Sequence, residues 1–466
     1  MPQHQKQQNH LQEKNQVTIE LELHDRFQLQ LTSIYPIGSK TSHLEYYLFV
    51  PPSLGCTAER YPAEFFYRDL RSFLRYRVNP QSLEKIIESP IFDELTQRIF
   101  NQQSLRFGLK LRRLGCEIKH AVAHWISLHP NPEREKIILF NTQLEFLLTK
   151  LRQLPIPEEG RIRRIFRQVD EYITHNLEYQ LCRWLQEHSK LSNEHSSPIK
   201  QILVHEGEWR RLNNYPEIKI DGRNEQLLAR IRLLRRFCES TLFLEVKRKR
   251  EGRWMEQMVF SLAAGLAMAI AMAIAFMAQQ EYGNLTLQFF NAMVVGYILK
   301  DRIKEIIRNI TWKRLNKNYF DFRTTILDSR KKKMLGQIRE QVRFPDLDKI
   351  PDTIQTARNQ QLPSAKETGE TLLLYRKQLQ LKISKLPGGY QAIQDVQFLN
   401  LQQMISLTSE PIDELLTYDG QQVNSVEAKK SYQLWLITRT TNGEQRINVW
   451  RITLTRKGIR QVKKIS

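Results

Sequence analysis

The stretch SLAAGLAMAIAMAIAFMAQQEYGNLTLQFFNAMVVGYILKDR, residues 261–302, decides how this chain is read. Its first part belongs to a run, 258–278, of 21 residues without an ionisable side chain. As a helix that run is ~31 Å long, about the thickness of a bilayer's hydrocarbon core. The alternative is an all-round apolar helix buried in a large domain, which the length disfavours. The second part, 285–299, would span only ~22 Å, so a crossing needs local thinning or a start nearer Tyr282. A re-entrant segment is the competing reading. Gln288 and Asn291 lie three apart on one helix face, which suits amides turned towards a neighbouring helix instead of lipid.

Working outward, both flanks are basic. Residues 229–253 hold nine Lys/Arg against three Glu, and residues 300–333 hold twelve against four Asp/Glu. These two segments supply most of the net charge of +21, whereas the connector QQEYGN has one Glu and no basic residue. Lys and Arg near span ends stay on the cytoplasmic side, so two crossings with a short external turn satisfy both flanks. The fold class expected is therefore an α+β membrane protein: a two-helix transmembrane hairpin over 254–300, a mostly helical cytoplasmic body, and β segments near both termini. Membrane-anchoring residues are Lys247, Arg248, Lys249, Arg250 and Trp254 before the hairpin and Lys300, Arg302 and Lys304 after it, with Tyr282, Tyr297 and Trp312 at the interfaces. Small residues at helical spacing form two rows. One runs through Ser261, Gly265, Ala269 and Ala273, the other through Ala263, Ala267, Ala271 and Ala275. Gly265 and Ala269, with Gln288 and Asn291, are the expected packing contacts of the hairpin.

The rest of the chain divides by pattern. Residues 1–15 are polar throughout and read as a disordered tail, with no apolar core for a cleaved signal peptide. Over 16–60, alternation from Val17 to Leu31 and the run LEYYLFV predict an amino-terminal, antiparallel β segment. Residues 61–250 read as a helical domain whose last helix, from about Glu225, continues towards the membrane. A basic juxtamembrane helix is expected over 301–343, a linker over 344–370 and a β-rich domain over 371–466. There, Asn442-Gly443 between two strand-like runs is a hairpin signal, because a type I′ turn needs positive φ at both central residues. Both β-rich ends lie on one side of the membrane in this reading and could share a sheet, bringing Leu21 near Trp450.

Chemistry is sparsely marked. Cys56, Cys116, Cys182 and Cys238 are too far apart for a CxxC pair and suit a reducing compartment. Glu117, His120 and His124 share one helix face and are the weak metal candidates, but bundle metal sites need a second such motif, and a hydrogen-bonded role is the bland alternative. His24-Asp25 marks a turn. No GxxxxGK[ST], GxSxG, HExxH or GxGxxG is found, so no catalytic or cofactor-binding residue and no cofactor is assigned. The arginine-aromatic stretch FFYRDLRSFLRYR, with Arg68, Arg71 and Arg75, could meet nucleic acid, although core aromatics with snorkelling arginines explain it on a helix.

EYYLFVPPSLG (45–55), FYRDLRSFLR (66–75) and VVGYILKDRIKE (294–305) resemble phrases of uncharacterised bacterial inner-membrane proteins with a cytoplasmic body and one membrane hairpin. That resemblance implies a bacterial inner membrane and no particular activity. The functional expectation is a membrane-anchored scaffold or sensor, multi-pass with both termini cytoplasmic. It would present its body to protein partners or further copies of itself beside anionic headgroups. A membrane-tethered nucleic-acid binder and a membrane-bound enzyme with an unrecognised site are the alternatives.

Overall fold

The computed structural model describes residues 17–465 except 38–40, 80, 189–192, 221, 284–285, 317–318, 331, 361–364, 383–385, 387–388, 410–411, 419 and 443. The expected tail, 1–15, lies outside the described residues. The chain forms two compact units. One comprises Met1–Leu74, Leu244–Pro387 and Ala392–Ser466; the other Arg75–Phe243 and Gly388–Gln391.

The first unit is built on β-sheet. Strands β1 (Thr18–Leu23), β2 (Gln28–Pro36) and β3 (Thr41–Val50) are followed by a short helix α1 (Ala63–Asp69) and β4 (Leu70–Tyr76). After the helical unit come β5 (Glu245–Arg250), β6 (Phe322–Leu327), β7 (Met334–Arg343), β8 (Thr371–Leu381) and β9 (Ala392–Asn400). The carboxy-terminal part adds β10 (Ile412–Tyr418), β11 (Val423–Lys429), β12 (Tyr432–Asn442), β13 (Glu444–Thr455) and β14 (Gly458–Lys464). They make a four-stranded sheet in the order β1-β2-β9-β4, an eight-stranded sheet in the order β14-β13-β12-β3-β8-β7-β6-β5, and the separate pair β10-β11.

The alternation of each strand explains how the sheets stack, since successive side chains point to opposite faces. Tyr46 and Leu48 of β3, with Leu373 and Tyr375 of β8, face Leu29, Leu31 and Leu399 of the four-stranded sheet. Tyr47, Phe49, Leu372 and Leu374 point the other way, into a second core with Trp435, Ile437, Ile350 and Ile354. Both faces of β3 are therefore covered from Tyr46 to Val50, which is why YYLFV carries no charge. Between β7 and β8 the backbones approach so closely that a Cβ on Gly336 would stand 2.5 Å from the Gln380 carbonyl oxygen.

The second unit is helical: α2 (Leu83–Ile87), α3 (Ile91–Phe100), α4 (Ser104–Leu128), α5 (Arg134–Arg152), α6 (Arg161–Glu187), α7 (Asn193–Leu212) and α8 (Glu225–Glu239). Val169, Ile173, Leu177, Leu181 and Trp184 of α6 form one buried stripe at three-to-four spacing, packed with Leu111, Leu114 and Ile118 of α4. Returning to the first unit, α9 (Arg253–Tyr282) and α10 (Leu287–Asn316) pack together, and α11 (Asp352–Asn359) and α12 (Gln402–Ser406) are short.

This architecture corrects the expected fold class. The molecule is α+β with extensive antiparallel sheet, not a two-helix transmembrane hairpin carrying a mostly helical body. Among the described residues one helix, Gln257–Tyr282, has the length and apolarity of a span, with mean hydropathy 2.3. The second helix fails that test because α10 has only 13 uncharged residues before Lys300, ~20 Å at helical rise.

Other assignments shift for tertiary reasons. The helix from Glu225 ends at Glu239, and Lys247, Arg248, Lys249 and Arg250 form β5, drawn into the sheet by pairing with β6 from Glu245↔Leu327 to Arg250↔Phe322. Residues 301–343 are not one helix: α10 stops at Asn316 and the chain continues as β6 and β7. The stretch 344–370 is no loose linker, since Ile350, Ile354 and Ala365 are core residues and buried Arg358 makes two hydrogen bonds to Glu370, at 3.0 and 2.5 Å. FFYRDLRSFLRYR changes from helix to strand after Asp69. The two β-rich ends join in one sheet where β12 pairs β3, but Leu21 pairs with Leu31 in the small sheet and Trp450 with Leu436 in the large one. β12 and β13 pair as far as Asn442↔Glu444, with Gly443 outside the described residues.

Candidate membrane-contact surface and a buried ionic cluster

The apolar helix α9 stands with only 17% of its most hydrophobic window buried. Its contact with α10 involves small residues together with Ile274. Ala263, Ala267 and Ala278 are buried, and a Cβ on Gly296 of α10 would lie 3.7 Å from Ile274 and 3.8 Å from the Ala271 carbonyl. Large side chains face outward: Leu262, Leu266, Ile270, Met272 and Phe276 on α9, and Phe290, Val295 and Ile298 on α10. The packing row is thus the one through Ala263 and Ala267. Gly265, Ala269, Gln288 and Asn291 are exposed and take no part in it, and nothing lies within 4 Å of a Cβ placed on Gly265. The two rows lie on different sides of the helix, and spacing alone does not say which meets the partner.

The anchoring set is divided by the fold. Lys300 lies 3.9 Å from the ring centroid of Tyr297 and 3.8 Å from Asp301, Arg302 is exposed with Glu305 at 3.9 Å, and Lys304 is exposed. The side chains of Trp254 and Trp312 lie outside the described residues. Lys247 and Lys249 are exposed on one side of β5. Arg248 turns to the other side, 3.2 Å from Glu340 and 3.9 Å from the centroid of Phe322.

Arg248 thereby joins a polar cluster between the two sheets. Strand periodicity puts Lys377 of β8 on the inner face with Tyr375, where it is 1% exposed and paired with Asp395 of β9. Glu340 of β7 lies 4.0 Å from Lys377 and accepts a 2.5 Å hydrogen bond from the Tyr375 hydroxyl. Ser72 of β4 donates to Asp395 at 2.6 Å, and Gln397 donates to the Tyr375 hydroxyl at 3.2 Å. Burial pushes the Tyr375 hydroxyl well above the usual tyrosine range, and Glu340 beside it adds to the shift. A cavity of about 100 Å³ opens beside Ser72, Arg248, Thr324, Glu340 and Lys377. Two cations and two carboxylates balance here and bond one another across strands of both sheets. The arrangement locks their register, because removing one partner strands a buried charge. No sequence pattern announces it: its members come from five strands, and only the alternation of β8 hints that Lys377 points inward.

In the helical unit the metal candidates are spent on other contacts. Glu117 accepts from Arg113 at 2.7 Å, and burial, with Lys119 and Arg75 nearby, lowers His120 to about 4. His124 is half-buried, and no group of three or more metal-binding side chains is found among the described residues. A second ionic cluster centres on Glu239, 2.6 Å from Lys119 and 3.9 Å from Arg75. Burial raises the Glu239 carboxyl, but Lys119, Arg235 and Arg75 together hold it below the usual range. Arg75 is thus occupied within the fold, and Arg68 lies 3.4 Å from Asp69 and donates to Gln403, so two of the three arginines considered for nucleic acid have protein partners. All four cysteines are free, three of them buried; burial pushes the Cys56 and Cys116 thiols up to about 12.

No protein-family model matches this chain, and neither a curated protein nor a solved structure matches it.

Proposed function

We propose that this protein is a membrane-anchored scaffold or sensor. Helix α9 contacts the hydrocarbon of a lipid bilayer, and the β-rich and helical units are presented to protein partners at the membrane surface. The observation that carries this reading is the inverted packing of α9, with alanines inward and Leu262, Leu266, Ile270 and Phe276 outward. An exposed apolar surface of that kind suits contact with acyl chains. Exposed Lys247, Lys249, Arg302 and Lys304 belong to the same unit and would favour anionic headgroups.

The test is flotation of the full-length chain, diluted out of detergent, with vesicles of phosphatidylethanolamine and phosphatidylglycerol. The protein is expected to float with the vesicles, and a Leu262→Lys/Leu266→Lys variant to float much less while keeping its circular dichroism. A chain that remains monodisperse without detergent and stays below the vesicles would overturn the reading.

A further inference from the structure

The β10–β11 ribbon is an unusual feature of the first unit. Among the described residues it pairs only with itself, and all seven residues of β10 are exposed. A lone two-stranded ribbon is at best marginally stable in water, so one this apolar gains from being covered. One face carries Ile412, Leu416, Tyr418 and Val423, with Leu416 69% exposed. On that same face Glu414 stands directly opposite Glu427 in the register. Like charges directly opposite destabilise a strand pair, and a cationic partner removes that cost. The ribbon is also locally acidic: residues 412–430 hold Asp413, Glu414, Asp419 and Glu427 against Lys429 and Lys430, in a chain of net charge +21. Asp413 pairs with Lys430 at 3.1 Å, and Ser425 donates to Glu414.

The complementary surface is on the chain itself. β5 is the terminal strand of the eight-stranded sheet, and its exposed Lys247 and Lys249 share one side. They are ~7 Å apart by strand geometry, and the facing glutamates of the ribbon have Cβ atoms ~5 Å apart, so one pair can meet the other. A lysine-bearing edge repels another copy of itself and admits an acidic strand. We propose that the β10–β11 ribbon of one molecule docks on β5 of a second copy, Glu414 and Glu427 taking Lys247 and Lys249. The two surfaces differ, so the contact is head-to-tail and propagates into a ring or a row of molecules.

The experiment measures the mass of the full-length chain in mild detergent by light scattering, which keeps it independent of lipid binding. Wild type is expected to self-associate at 0.1 M salt and to dissociate at higher salt. Glu414→Lys/Glu427→Lys and Lys247→Glu/Lys249→Glu are each expected to run as single chains. Mixing the two variants is expected to restore association, because each then offers the surface the other has lost; two misfolded variants would not do this. A monomeric wild type, an oligomer indifferent to both variants, or a mixture that stays monomeric would each overturn the proposal. So would loss of vesicle binding in the β5 variant with its oligomer intact, which would give β5 to headgroups instead.

Discussion

Two packed pairs of long helices, α4 with α6 and α9 with α10, differ in where they put most of their large apolar side chains. In α4–α6 the interior holds Leu111, Leu114, Ile118, Val169 and Ile173, with polar residues outside. In α9–α10 the interior holds Ala263, Ala267 and Gly296, and Leu262, Leu266, Phe276 and Ile298 lie outside. Hydrophobic burial against water drives the first arrangement. The second pair leaves most of its large apolar side chains exposed and closes at points such as Ala263, Ala267 and Gly296, the feature on which the proposed lipid contact of α9 rests. Helices of similar length thus differ in which side chains they leave exposed.

The sharpest way to break this comparison is to place the same charge in both pairs. Leu114→Lys buries an ammonium in the α4–α6 core and is expected to destabilise the helical unit by more than about 4 kcal/mol, seen as loss of its thermal transition. Leu266→Lys alone is expected to leave both thermal transitions in place and to weaken vesicle flotation only. Equal unfolding by both substitutions would show that α9 packs as a water-excluded core helix.

The ionic cluster between the sheets extends the contrast to charge. Lys377→Met leaves Asp395 and Glu340 without their ammonium partner and is expected to cost about 3–5 kcal/mol in urea unfolding. A Lys377→Met/Asp395→Leu variant should recover part of that loss. Gly336→Ala forces a Cβ against the Gln380 carbonyl and is expected to cost about 1–3 kcal/mol, read as a lower urea midpoint.

The smallest effect concerns His120. Its folded-state value of about 4 lies below the ordinary 6.5, so between these the unfolded chain binds a proton that the folded chain does not. Stability of the helical unit is therefore expected to fall as pH drops from about 6.5 towards 4 and to lose no more from this group below that. Glu239 acts in the same direction at lower pH, because its depressed value contributes stability that disappears as the carboxylate is protonated. His120→Phe should flatten the upper part of this slope, and an unchanged profile would remove His120 as its cause.

Local pattern made much of the fold legible. The stripe from Ile162 to Trp184 is α6, the alternation from Val17 to Leu31 is β1 and β2, and the two strand-like runs near the carboxy terminus are the paired β12 and β13. It misled at KRKR, read as the continuation of a helix from about Glu225. Lys247, Arg248, Lys249 and Arg250 instead form a strand whose alternation sets Arg248 on the side of Glu340, opposite Lys247 and Lys249, while all four stay exposed.

The amino-acid sequence by itself determined where the apolar helix lies, which segments are helical or extended, and where the positive charge concentrates. These follow from interactions among residues a few positions apart. Tertiary structure decided that β3 sits between β12 and β8, that Ala263 and Ala267 are the packing row, and that Lys377 finds Asp395. Each of those depends on elements far apart in the chain, and periodicity along one element shows that it has a face without showing what that face will meet.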